Sequence, residues 1–208
     1  MKKKGLLLLL GLAMTLCGCQ KGYTMEEMQQ SLLSMKGYEA EAAITRITDH
    51  GSHTYDTKQY FEMETGRYRL EMVGPAEVAG NYTLYDGQKV YQYNPRTGSD
   101  AAFEVSPDQA RNELFLGQFV KNYLQSEHVS MASAPLEQTQ AVILEAVIPG
   151  EYAYTATEKL WLDTATGLPK KLVLYDQEGQ ERYVVEYTSF TYTDTFDEDI
   201  FLPEVRQE

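Results

Sequence analysis

The hydrophobic pattern changes period once, near residue 38, and the elements follow from that change. Before it, Met25, Met28, Leu32 and Met35 recur at helical spacing. Thr24 stands three residues ahead of Glu27, the spacing of a capping box in which each side chain satisfies a backbone N–H of the first turn. Gly37 is the expected C-cap. The methionine stripe reads as core packing against a sheet; a flexible face for lipid is the alternative, because thioether side chains repack readily.

From Tyr38 onward the period is two, and strands alternate with turn signals. Ala40, Ala42 and Ile44 share one face of a first strand, residues 49–53 read as a turn, and Phe61 and Met63 alternate with polar neighbours on the return. Tyr68, Leu70 and Met72 mark a half-buried antiparallel strand that Gly74-Pro75 ends. Asp86-Gly87 joins strands at 82–85 and 88–93 as a hairpin, and residues 94–98 form a further turn. A second helix is expected over residues 107–126, with Ser106 as cap, Pro107 at the first position and Gln109 completing a capping box. At 3.6 residues per turn, Phe115, Leu116, Phe119, Val120, Tyr123 and Leu124 cover about half its circumference. So wide an arc belongs over a hydrophobic concavity, as a lid or plug. Residues 130–139, with small side chains and Pro135, read as a loop; residues 140–148, 159–163, 170–176 and 180–193 read as strands of a closing meander. The fold class expected is α+β and mainly β: a curved antiparallel sheet, a half-open barrel, with helices in or over its concave face.

The first residues have a different character. Lys2, Lys3 and Lys4 precede an apolar run over residues 5–16, too short for a stable membrane anchor, which is the pattern of an export signal. Leu16-Cys17-Gly18-Cys19 closes it and resembles the lipobox of bacterial lipoproteins, in which the cysteine takes a diacylglyceryl group. The expected organisation is therefore a signal peptide at 1–18, a lipidated tether at 19–23 and one domain at 24–208. Location follows: outside the cytoplasm, lipid-anchored to the outer face of the cell membrane. The net charge of −13 becomes three units more negative once the signal lysines leave. Such a chain is a poor nucleic-acid ligand, and its hold on a membrane must come from acyl chains, at about 0.8 kcal/mol per buried methylene. Both cysteines are consumed, one by cleavage and one by lipid, which leaves no thiol for a disulfide, a metal or catalysis.

Candidate chemistry is sparse. His50 and His53, with Asp49, would need a fourth ligand from elsewhere to hold a metal, and His128 follows the second helix, where a cation is favourable. There is no Gly-x-Ser-x-Gly, no phosphate loop and no His-Glu-x-x-His. Asp194, Asp197, Glu198 and Asp199 read as a solvated turn, with a calcium site as the alternative. Tyr85, Tyr91, Tyr93, Tyr175, Tyr183 and Tyr187 lie in strand patterns and read as sheet packing, with glycan stacking as the alternative. No enzyme activity and no cofactor are expected.

The run Asp86-Gly87-Gln88-Lys89-Val90-Tyr91-Gln92-Tyr93-Asn94-Pro95 and the terminal Phe196-Asp197-Glu198-Asp199-Ile200-Phe201-Leu202-Pro203 resemble segments of the LolA/LolB lipoprotein-carrier superfamily. Within it, Asn112-Glu113-Leu114-Phe115-Leu116-Gly117, Lys121-Asn122-Tyr123-Leu124, Trp161-Leu162-Asp163 and Gly167-Leu168-Pro169 are closer to the germination lipoprotein GerS family of spore-forming Firmicutes. That resemblance implies a lipid-anchored, non-enzymatic protein, with the intermembrane space of a forespore as an alternative location, that binds a cell-wall amidase of the CwlD type. The superfamily implies instead a carrier or sensor of acyl chains. A homodimer through an exposed sheet edge is also compatible. Where the carriers have Arg-Pro, whose arginine helps hold the lid, this chain has Thr65-Gly66, so the resemblance does not extend to that gate.

The lipobox reading predicts that Cys19→Ala moves the protein from the membrane pellet to the soluble fraction. Retention in the pellet after a high-salt wash would contradict it.

Overall fold

The computed structural model describes residues 22–136, 139–150 and 152–203. The signal peptide expected at 1–18 and the lipid site at Cys19 lie outside the described residues. Of the expected tether, Gly22 and Tyr23 are described: Tyr23 donates its N–H to the Thr164 carbonyl at 2.7 Å, so the chain enters the domain along a turn of the meander.

The elements, in order, are α1 (Met25–Leu33), β1 (Gly37–Thr48), β2 (Gly51–Glu62), β3 (Tyr68–Gly74), β4 (Tyr82–Tyr85), β5 (Lys89–Asn94), β6 (Ser99–Glu104), α2 (Leu116–Gln125), β7 (Val129–Leu136), β8 (Thr139–Val147), β9 (Thr157–Asp163), β10 (Pro169–Tyr175), β11 (Glu181–Tyr192) and a 3-10 turn, Glu198–Phe201. All eleven strands form one antiparallel sheet in the order β6-β5-β4-β3-β2-β1-β11-β10-β9-β8-β7. The sheet curves but does not close, since β6 and β7 each pair on one side only. Irregularities at Glu41/Ala42, Asp56/Thr57 and Leu174/Tyr175 bend the central strands. This is the curved, half-open antiparallel sheet expected from the sequence.

Its concave face carries the main core. Tyr38, Ala40, Ala42 and Ile44 of β1, Phe61 of β2, Leu160 and Leu162 of β9, and Val185 of β11 are all buried there, with Met28 and Leu32 of α1. The methionine stripe is therefore core. Thr24 and Glu27 form both bonds of the capping box.

Four local expectations are corrected. Ser34, not Gly37, caps α1; Gly37 opens β1, where a Cβ would lie 2.5 Å from the Phe196 ring and 2.7 Å from the Phe61 carbonyl. Ser106 and Gln109 do exchange capping bonds, but they close a single turn, and the helix proper begins at Leu116. Residues 130–139 are not a loop: β7 pairs with β8 along its length, and Pro135 is tolerated because β7 is an edge strand that has only one neighbour to satisfy. Ser99–Glu104, given no element from the sequence, is the other edge, β6.

The convex face is covered at one side by the chain's end. Phe196, Ile200 and Phe201 pack on Tyr60, Tyr82, Leu84 and Tyr91. Arg67 fixes this segment: it makes two bonds to Glu198, at 2.6 and 3.2 Å, two to Glu62, and lies 4.6 Å over the Phe201 ring. Those partners hold the Arg67 guanidinium pKa well above its ordinary value and the Glu198 and Glu62 carboxyls below theirs. The acidic cluster is thus partly a clamp: Asp197 caps the 3-10 turn and Glu198 is an ion-pair partner.

Candidate functional site

The site is the seat of α2 in the half-barrel. Its first residue cannot rely on a side-chain cap of its own, because Phe115 occupies the N-cap position. The missing acceptor comes from the sheet. Tyr38 Oη accepts from the Leu116 N–H at 3.0 Å and donates to Gln59 Oε1 at 3.1 Å. Burial raises the Tyr38 phenol well above its ordinary pKa and keeps it a donor. One residue further, Gly117 lets the helix reach the sheet: a Cβ there would lie 2.2 Å from the Phe61 ring.

Of the side chains expected to form the lid, Phe115, Leu116, Phe119 and Val120 are fully or almost fully buried, and Tyr123 is half-buried with its hydroxyl near Gln29 of α1, which donates to it at 3.4 Å. Leu124 is a correction: it is 63% exposed and points away from the sheet. At about 100° per residue Leu124 stands at the margin of the apolar arc, and the buried face is displaced from it towards Gln118 and Asn122.

Two polar residues of α2 that the hydrophobic pattern passes over are buried instead. Gln118 Nε2 and Arg111 Nη2 both donate to Asn122 Oδ1, at 2.9 and 3.0 Å. Asn122 Nδ2 in turn donates to Oε1 of Glu158 on β9 at 2.8 Å. Glu158 is wholly buried, its Oε2 has no hydrogen-bond partner, and neither has the buried hydroxyl of Tyr187. Burial pushes the Glu158 carboxyl up to about 8, with the Asn122 bond opposing the shift, so it is protonated at neutral pH. Burial raises Tyr187 as well, and the proximity of Glu158 adds to that. In sequence, Glu158 alternates with Lys159 ahead of Leu160 and gives no sign of facing inward; only its parity with Leu160 and Leu162 carried the signal.

Nothing here assembles a nucleophile beside a base. Among the described residues, no group of three or more His, Cys, Asp or Glu side chains is placed to hold a metal ion, and His50 and His53 lie in and just after the β1–β2 turn. No helix among the described residues is long and apolar enough to cross a membrane. The tyrosines expected to pack in the sheet divide between its faces, with Tyr85 and Tyr187 buried in the main core and Tyr91 and Tyr93 against the terminal segment.

Fold and site together define a half-open antiparallel barrel with a helix seated in its concavity. The chain belongs to the family of YdcC-like sporulation proteins, whose profile matches residues 2–201. Among solved structures it is similar to the Clostridioides difficile CwlD amidase in complex with the GerS lipoprotein, at 27% identity and a TM-score of 0.50 over 81% of this chain and 93% of that one. It is similar in fold to an uncharacterized conserved protein from Thermus thermophilus, at 14% identity and a TM-score of 0.54 over 86% and 93% of the two chains. A LolA superfamily protein, NE2245 from Nitrosomonas europaea, matches at 14% identity and a TM-score of 0.45 over 84% and 97%. No curated protein sequence matches the chain.

The buried carboxyl sets a pH dependence. Glu158 is raised in the folded protein from 4.5 to about 8, so the native state holds this proton more tightly than the unfolded chain does. Its contribution to stability is complete below the unfolded value and is lost as pH rises from about 4.5 through about 8. Glu158→Gln, which keeps the shape and removes the charge, should therefore melt at least roughly 5 °C above the parent at pH 8, with the gap closing by pH 4. Thermal unfolding of both proteins from pH 4 to 9 checks this, and parallel profiles would contradict it.

Proposed function

We propose that this chain is a non-enzymatic, lipid-anchored protein of the sporulation envelope that docks a cell-wall amidase. The observation that carries the reading is the likeness to the GerS lipoprotein, which covers most of both chains and was seen with that lipoprotein bound to the CwlD amidase. The family of sporulation proteins to which the chain belongs supports the setting. The lipobox at Leu16-Cys17-Gly18-Cys19 supports the anchor and, with it, a position outside the cytoplasm facing the cell wall. The edge strands β6 and β7, each paired on one side only, offer edges on which another chain, or a second copy, can add a strand.

The carrier reading rests on a different observation, the apolar concave face beneath α2. As folded, that face is occupied by Phe115, Leu116, Phe119 and Val120, so an acyl chain enters only if α2 leaves. Four buried apolar side chains at about 1.5–3 kcal/mol each oppose its leaving, whereas a protein partner at the sheet edges requires no such opening.

The two separate in one preparation. The tagged full chain, recovered from solubilised membranes of sporulating cells, is expected to carry an N-acetylmuramoyl-L-alanine amidase in stoichiometric amount, and the same purified amidase should bind the purified chain directly. Recovery of stoichiometric extra acyl lipid beyond the anchor, with no amidase, would replace docking with carriage.

A further inference from the structure

The chain enters the domain at one corner, and that corner limits which surface can meet a membrane. The ring of Tyr23 lies against Gly167 of the β9–β10 turn, where a Cβ would come within 3.1 Å of it, and the Tyr23 N–H is bonded to the Thr164 carbonyl of the same turn. Gly22 is equally close, since a Cβ there would lie 3.0 Å from the Thr164 oxygen. Cys19 stands three residues ahead of Gly22, and three residues of fully extended chain span about 11 Å at most. A lipid on Cys19 therefore holds the β9–β10 turn close to the bilayer. That placement rests on the lipid anchor proposed above.

The surface around the entry point differs from the rest of this acidic chain. Thr164, Ala165, Thr166 and Gly167 carry no charge, and Asp163 beside them is buried, its carboxylate accepting from the Ala165 N–H and the Thr166 hydroxyl. After the turn the register slips: Pro169 pairs with Leu162 and Lys171 with Trp161, so Lys170 is an extra residue in a bulge. Lys170 is exposed, and the Lys171 ammonium lies 5.4 Å over the ring of Trp161, the only tryptophan in the chain. Among the described residues neither lysine closes an ion pair, although Glu186 stands opposite Lys171 on β11; Lys159, two residues before Trp161, does so with Glu145 at 3.4 Å. Two cations without an ion-pair partner, a half-exposed tyrosine and a half-buried tryptophan thus meet where the tether arrives.

We propose that this corner, formed by Tyr23, the β9–β10 turn, Trp161, Lys170 and Lys171, rests on the bilayer and recognises anionic phospholipid headgroups. Tryptophan and tyrosine side chains favour the membrane–water boundary, and lysines beside it are drawn to anionic lipid. The acyl chains supply the hold, and the corner sets the orientation. The other end of the same hairpin is unsuited to such a surface, because Asp176, Glu178 and Glu181 gather at the β10–β11 turn. That turn lies about 23 Å away along the seven residues of β10 and points towards the cell wall, as does the β1–β2 turn that Arg182 ties to it through Asp49.

With Cys19 blocked by lipid, a cysteine introduced by Ala165→Cys or Gln177→Cys, both at exposed turn positions, is the only free thiol and takes a spin label cleanly. The test places each labelled, lipidated full chain in vesicles of phosphatidylcholine, with or without phosphatidylglycerol, that carry a trace of gadolinium-chelating lipid. Relaxation by the headgroup gadolinium is expected to be at least about tenfold stronger at position 165 than at 177, given the length of β10 between them. Phosphatidylglycerol should raise that ratio, and Lys170→Gln with Lys171→Gln should abolish the rise while the chain still sediments with the vesicles. Equal relaxation at the two positions, or stronger relaxation at 177, would overturn the orientation. A ratio indifferent to phosphatidylglycerol or to the two lysines would overturn headgroup recognition. A chain that does not sediment with the vesicles at all would overturn the anchor and this placement together, which is a different result from an anchored chain with the wrong end down.

Discussion

An open sheet that curves leaves an apolar hollow on its concave side, and water in that hollow is the state the rest of the molecule is built to avoid. The chain solves this with one helix. Phe115, Leu116, Phe119 and Val120 fill the concavity, and a single hydroxyl from the opposite wall, Tyr38 Oη, supplies the acceptor that the helix's first N–H lacks. Several features follow from that seat. Ala40 and Ala42 keep the β1 wall low, Gly117 admits the Phe61 ring, and α1 closes the side through Met28 and Leu32. The convex face needs less cover, and the Arg67 clamp on the terminal segment provides it at one side.

The seat also contains its own weak point. The bond from Asn122 to Glu158 crosses from helix to sheet, and it leaves one carboxyl oxygen and the Tyr187 hydroxyl without partners. Each such group costs about 1–3 kcal/mol. The buried apolar side chains of α2 contribute about 1.5–3 kcal/mol apiece and outweigh it, so the helix stays docked, while burial holds a proton on Glu158 against the pull of the Asn122 bond. For a protein that docks a partner at its edges, a filled concavity provides stiffness. For a carrier it would be an obstacle to cargo.

Much of this architecture was legible in the sequence because period-two alternation and turn residues report directly on strands. Asp86-Gly87, Gly74-Pro75 and the closing meander marked their elements to within one or two residues. The failures have physical reasons. Both edge strands were missed or read as loop, since β6 and β7 face water on most positions and so lack a hydrophobic alternation, and Pro135 is harmless only where a strand has one neighbour. A capping box at Ser106 and Gln109 is a local signal, and locally it was obeyed; whether a helix continues from it depends on tertiary contacts the box does not encode. Leu124 stands at the margin of the apolar arc, and the buried face is turned from it towards Gln118 and Asn122. Glu158, Asn122 and Gln118 were invisible as a site because polarity alone says nothing about facing inward.

The central claim is that α2 is a permanent part of the core rather than a lid that exchanges with cargo. Native-state hydrogen exchange at neutral pH addresses it directly. If the claim holds, the amides of residues 119–125 exchange as slowly as those of β1 and β11 and open only with global unfolding. Exchange of α2 amides that is faster by orders of magnitude, with the central strands still protected, would show a helix that swings free and would contradict the account.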